Sequence, residues 1–171
     1  MRMIIVTAIL LAATTAACTQ MDQSSAANDT LPADAAPIAT PADRGPPLAL
    51  AATDSSLQWG LCPPLFTTPG CEIAVLHGDP AQPNADIFLR VPGGYAIPPH
   101  RHTSAERMIL ASGELRVRYQ GHAAATLQAG NYAYGPAGLP HEASCIGTRP
   151  CTLFIAFEGP VDANPVTEPI S

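Results

Sequence analysis

An all-β fold is predicted for everything after about Leu57, and three observations carry it. Short apolar runs alternate there with Gly, Pro and Asn at the spacing of a sandwich or barrel, no aromatic residue precedes Trp59, and no segment shows the 3.6-residue periodicity of a helix. Residues 56–171 are therefore expected to form one domain, with no internal repeat and no second core.

Taken in chain order, the expected strands are Ile73 to Leu76, Asp86 to Val91, Glu106 to Ala111, Glu114 to Tyr119, Ala123 to Leu127, Tyr132 to Tyr134, His141 to Cys145 and Cys151 to Glu158. The clearest is Glu114 to Tyr119. Leu115, Val117 and Tyr119 share one face there, and Arg116 and Arg118 the other, which is the period of a half-buried strand. Gly113 and Gly121 stand where tight turns are needed, because glycine adopts positive φ without a Cβ penalty. Met108, Leu110, Tyr132, Tyr134, Phe154 and Phe157 are expected to line the interior. His77 and His122 are read as turn or surface residues, His77 being the one nearer the barrel mouth.

Upstream of the domain the chain has a different character. Arg2 precedes an apolar run of 14 residues, Ile4 to Ala17, which is too short to span a bilayer and has the shape of an export signal over residues 1–18. Its end, Thr15-Ala16-Ala17-Cys18, resembles a bacterial lipobox with Thr in place of the usual Leu, so lipidation of Cys18 and ordinary signal cleavage both stand as readings. Residues 19–55 are rich in Ala, Pro, Asp, Ser and Thr and carry five prolines. That composition predicts a disordered spacer with a reach of about 35 Å as a flexible coil. The expected location is outside the cytoplasm, in the periplasm, with the lipidated form an outer-membrane lipoprotein. The only membrane contact foreseen is a lipid on Cys18.

Charge and composition remove several functions. All eight basic residues are Arg, there is no Lys, and the formal net charge is -6, so no nucleic acid is expected as a partner. Without Lys there is no Schiff-base, pyridoxal-phosphate or P-loop chemistry.

Setting Cys18 aside, four cysteines remain. An even count in an exported chain favours Cys62 with Cys71 and Cys145 with Cys151, each pair flanking a short Pro- or Gly-containing loop. Sequence alone leaves the connectivity open, and buried free thiols are the alternative for each pair.

The chemistry concentrates in two segments. GYAIPPHRHTSAERMILASG runs from Gly94 to Gly113, and GNYAYGPAGLPHEASC from Gly130 to Cys145. His100 and His102 share strand parity, Glu106 keeps it, and His141 comes from a later strand. Three imidazoles and a carboxylate make a cage for a divalent transition metal, with open positions left for substrate if the shell is octahedral.

These segments resemble the two motifs of the cupin superfamily, and the chain is similar to a small bacterial single-domain cupin. Gly94, His100, His102, Glu106 and Gly113 match the first motif without a gap. Gly130, Pro136, Gly138 and His141 match the second, and Cys145 stands where that motif has Asn. The resemblance implies a double-stranded β-helix, or jelly-roll barrel, with one divalent metal (Fe, Mn, Ni, Cu or Zn) held inside by His100, His102, Glu106 and His141. Cys145, four residues after His141 and of the same strand parity, is expected to face inward close to the metal, as a disulfide partner, a filler or a free thiol, the disulfide being favoured by the expected compartment. Retention of Glu106 makes the set resemble flavonol dioxygenases more than thiol dioxygenases, with Glu106 as ligand and general base.

Cupins serve many reactions, so the fold itself decides no activity. The expected function is a metal-dependent oxidoreductase of the dioxygenase type acting on a small organic molecule. The alternative is a non-catalytic binding or sensing cupin tethered to the cell envelope, and a homodimer is compatible with either.

Overall fold

The computed structural model describes residues 47–171. The expected export signal, Cys18 and the spacer up to residue 46 lie outside the described residues. Eleven strands follow one another: β1 (Trp59–Leu61), β2 (Glu72–His77), β3 (Asp86–Val91), β4 (Ala96–Arg101), β5 (Glu106–Ser112), β6 (Glu114–Tyr119), β7 (Ala125–Gln128), β8 (Tyr132–Gly135), β9 (His141–Cys145), β10 (Cys151–Phe157) and β11 (Asn164–Pro165). No helix occurs among the described residues. All eight expected strands are present to within two residues at either end.

The strands form two antiparallel sheets, one of six in the order β1-β2-β3-β10-β5-β8 and one of five in the order β11-β4-β9-β6-β7. Successive strands repeatedly cross from one sheet to the other, the jelly-roll arrangement. Period-two alternation then supplies the core. Ile87, Leu89 and Val91 of β3, Met108 and Leu110 of β5, and Leu153, Ile155 and Phe157 of β10 face Ile97 of β4 and Leu115 and Val117 of β6. Burying each of these aliphatic side chains stabilises the fold by about 1.5–3 kcal/mol.

Three strands escape the sequence pattern. β1 and β11 are too short to show a period. β4 carries Pro98-Pro99, which reads as a break because proline donates no ladder hydrogen bond. The chain accommodates the pair as a bulge: Ile97 is opposite Ala143 and His100 opposite His141, so two prolines on β4 face Glu142 alone on β9.

Parity also corrects the expected interior. Ala133 and Gly135 of β8 turn inward, so Tyr132 and Tyr134 are exposed. Phe154 lies between the inward Leu153 and Ile155 and packs edge-on against Phe88 on the outer face, with Leu57 and Ala74. His77 borders an outer-face groove with Leu48 and Leu50 rather than the mouth of the interior. Within the stretch assigned to the spacer, Ala52 packs onto this outer cluster, and the Asp54 carboxylate accepts hydrogen bonds from Ser56 N and Oγ.

Both cysteine pairs are bonded, Cys62 to Cys71 and Cys145 to Cys151. The second closes the connection between β9 and β10. It accounts for the inward-facing Cys145, which is a disulfide partner and no free thiol beside the site.

Candidate metal centre

The two sheets do not fill the space between them completely. A cavity with about 60 Å³ of free space remains, walled by apolar side chains such as Ile87, Met108, Val117 and Ile155. Five polar residues line it as well, and four of them are buried: His100, His102, Glu106 and His141, with Asp162 the fifth.

Each arrives by a different local route. His100 closes β4 and sits directly opposite His141 on β9, with ring centroids 4.2 Å apart. His102 lies just past the end of β4. Glu106 begins β5, in the other sheet, where it pairs with Gly135 of β8. The expectation that Glu106 keeps strand parity with the two histidines is therefore corrected, because the chain leaves one sheet and enters the other between His102 and Glu106. The convergence itself is as expected.

Backbone carbonyls set the imidazole tautomers. Nδ1–H of His100 donates to the Pro98 carbonyl at 2.8 Å, that of His141 to the Leu139 carbonyl at 3.3 Å, and that of His102 to the Asp162 carbonyl. The proton of a neutral imidazole is thereby committed to Nδ1, and the Nε2 lone pair is left free, the arrangement found in metal-binding histidines. The bulge at Pro98-Pro99 contributes directly, since it leaves the Pro98 carbonyl available to His100.

One ligand atom from each of the three histidines lies within 4.8 Å of the others. Glu106 Oε1 is 3.2 Å from His141 Nε2, and Oε2 is 3.4 Å from His102 Nε2. These approaches do not satisfy the groups: His102 Nε2 and Glu106 Oε1 are buried with no hydrogen-bond partner. Buried polar atoms that converge without bonding to one another are costly, and a cation among them removes that cost. The residues present fit a divalent metal on this test.

Electrostatics agree with the geometry. Burial lowers His100 to about 4 and His141 to about 3, the latter helped by repulsion from His100 and His102. His102 is also lowered, by burial first, against the opposing pull of Asp162. All three imidazoles are neutral at pH 7 and able to ligate. Burial pushes the Glu106 carboxyl the other way, to about 8.

Residues outside the motifs complete the surroundings. Gly135 leaves the space that the Glu106 carboxyl occupies: a Cβ there would lie 2.7 Å from Oε1. Asp162 lies between β10 and β11, its carbonyl holding His102 and its carboxylate accepting from Thr103 N and Asn164 Nδ2. Burial opposes ionisation of Asp162, and these hydrogen bonds outweigh it, so its carboxyl lies below the usual range. Phe66 stands edge-on to His100 at 5.9 Å. Neither Asp162 nor Phe66 carries a sequence signal, since both lie in irregular segments. Gly135 could have been inferred once β5 and β8 were paired.

Residues 87–157 match the family model described as a cupin domain. No curated protein matches the chain significantly. Among solved structures it is similar to DMSP lyase DddQ from Ruegeria pomeroyi DSS-3, with 23% identity and a TM-score of 0.55 over 64% of this chain and 60% of that one. It is also similar to an oxalate decarboxylase from B. subtilis, with 18% identity and a TM-score of 0.53 over 75% of this chain and 35% of that one. The oxalate decarboxylase of Lactobacillus farciminis in its formate complex gives 18% and 0.53, over 73% and 38%. The chain thus spans 60% of the lyase and little more than a third of the decarboxylases, and the likeness is one of fold. With two crossed-over sheets, a matched segment reaching from β3 to β10 and three histidines gathered between the sheets, the described part of this chain is a small cupin-type domain.

Proposed function

We propose that this domain is a metal-dependent oxidoreductase of the dioxygenase type, acting outside the cytoplasm on a small organic molecule. One divalent transition metal would be held by His100, His102, His141 and Glu106. The observation that carries this reading is the convergence of three Nδ1-anchored imidazoles and an unpartnered, buried carboxyl inside an apolar cavity. A metal so held supplies Lewis acidity and, if redox-active, electrons.

The chain's own residues have assignable tasks. The Pro98, Leu139 and Asp162 carbonyls orient the imidazoles. Apolar walls exclude water and suit an apolar reactant such as dioxygen, and no Arg lines the cavity to attract a polyanion. Glu106 can hold a proton on Oε1 or Oε2 within 3.4 Å of His102 and His141, and release it when a cation or a substrate arrives. Two disulfides in so short a domain support an oxidising compartment, in keeping with the expected export signal.

Oxygen uptake tests the reading. Protein reconstituted separately with iron, manganese, nickel and zinc is offered short diketones, catechol, oxalate and DMSP, the last two being the compounds named for its structural neighbours. Oxygen consumption by a redox-active form and not by the zinc form supports the proposal. Turnover of oxalate or DMSP without oxygen uptake replaces it with decarboxylation or elimination. Tight binding with no turnover of any compound replaces it with the binding or sensing role.

A further inference from the structure

The cavity is walled mainly by strands, and besides His102 two irregular segments contribute to its lining. One is the loop from Cys62 to Cys71, through Pro63 and Phe66; the other is the segment of Val161, Asp162 and Ala163. The second is committed to the site, because the Asp162 carbonyl anchors His102. The first contributes no polar group to the site. It is nevertheless fixed: the Cys62–Cys71 disulfide ties its ends, the Tyr95 hydroxyl donates to the Thr68 carbonyl at 2.9 Å, and Phe66 N donates to the Pro63 carbonyl at 3.0 Å. Phe66, half-buried, packs against the core and places its ring edge toward His100.

We propose that Phe66 is the specificity-determining residue of this site, a fixed ring beside His100 that limits the bulk of what reaches the imidazoles. The ring lines the same cavity as the three imidazoles and stands 5.9 Å from that of His100. A loop free to swing would set no such limit. The disulfide and the Tyr95 anchor are what make this ring a filter rather than a mobile cover. The inference rests on the metal-site reading given above and adds to it a selection for compact ligands over bulky ones.

The test uses two probes on cobalt(II)-loaded protein, acetate and benzoate, followed by the visible spectrum of the metal. Phe66→Ala is expected to bind benzoate at least about tenfold more tightly than wild type while acetate affinity stays within about threefold, and Phe66→Trp to weaken acetate by about tenfold. The same benzoate-to-acetate ratio in wild type and variants overturns the gate. A second readout needs no metal: carbethoxylation of His100 by diethylpyrocarbonate, mapped by peptide mass, with the exposed His77 and His122 as internal references. It should run about tenfold faster in Phe66→Ala, and an unchanged ratio to the two references also overturns the gate. If wild type holds no cobalt, the metal reading fails and the carbethoxylation ratio still decides the gate. Should Phe66→Ala not fold, Phe66→Leu and Phe66→Trp carry the comparison in opposite directions.

Discussion

Glu106 is the residue on which proton and cation compete. Its carboxyl, pushed up to about 8 by burial, is protonated at pH 7, whereas His100 and His141, lowered to about 4 and 3, are not. A metal that takes Glu106 as ligand must therefore displace about one proton at pH 7 and almost none at pH 9. The sign follows: the group's folded value is raised, so its proton is lost as pH rises through about 8, and apparent metal affinity should climb up to that point and then level. His100 and His141, neutral well below pH 7, add no slope, and burial lowers His102 in the same direction. Calorimetry in two buffers of different ionisation heat reads the proton count directly, and no release at pH 7 would remove Glu106 from the ligand set. Gly135 gives a companion prediction. Its backbone needs no special φ, but a Cβ would lie 2.7 Å from Glu106 Oε1. Gly135→Ala should lower stability by about 1–3 kcal/mol in urea denaturation and weaken metal binding with it. Unchanged metal affinity there would show that the carboxyl can move aside without consequence.

The elements explain which parts of the sequence were legible. β3, β6 and β9 begin and end where expected, because apolar and polar residues alternate cleanly in them or turn residues bound them. β4 was hidden by Pro98-Pro99, although a His-x-His after two prolines is understandable afterwards: a bulge needs no donor at those positions and frees a carbonyl for His100. Tyr132, Tyr134 and Phe154 were assigned to the interior on side-chain type, and strand parity places them outside. The disulfides were legible from cysteine spacing and the even count expected of an exported chain. For loops of this size, with separations of 9 and 6 residues, each bridge should contribute about 2–3 kcal/mol. Denaturant titration of the Cys62→Ser, Cys71→Ser and Cys145→Ser, Cys151→Ser double variants checks this. A loss below about 0.5 kcal/mol for either pair would mean that the loop is held by its other contacts alone.

At the scale of the described residues, sequence and structure agree on an all-β fold with a polar cluster inside, and they do so for separable reasons. The four polar residues are recognisable because motif spacing survives in one chain, GYAIPPHRHTSAE and GPAGLPH, regardless of how the strands are paired. What encloses them is not recognisable in that way. Phe66 lies 34 residues before His100, and Asp162 lies 60 residues after His102. Only the closing of two sheets brings these irregular segments to the same cavity. The expected export signal and the proposed lipid on Cys18 lie outside the described residues. Mass spectrometry of the mature N-terminus, in wild type and Cys18→Ser, tests both. An unlipidated wild-type chain cleaved elsewhere removes the anchor. The central claim is the metal, and elemental analysis tests it most directly. Wild type, His102→Ala and His141→Ala are to be purified in the same medium and compared at equal folded concentration. The account predicts about one equivalent of a divalent transition metal in wild type and less than about a tenth of that in either variant. Equal metal content in all three proteins, or none in wild type after reconstitution, would contradict it.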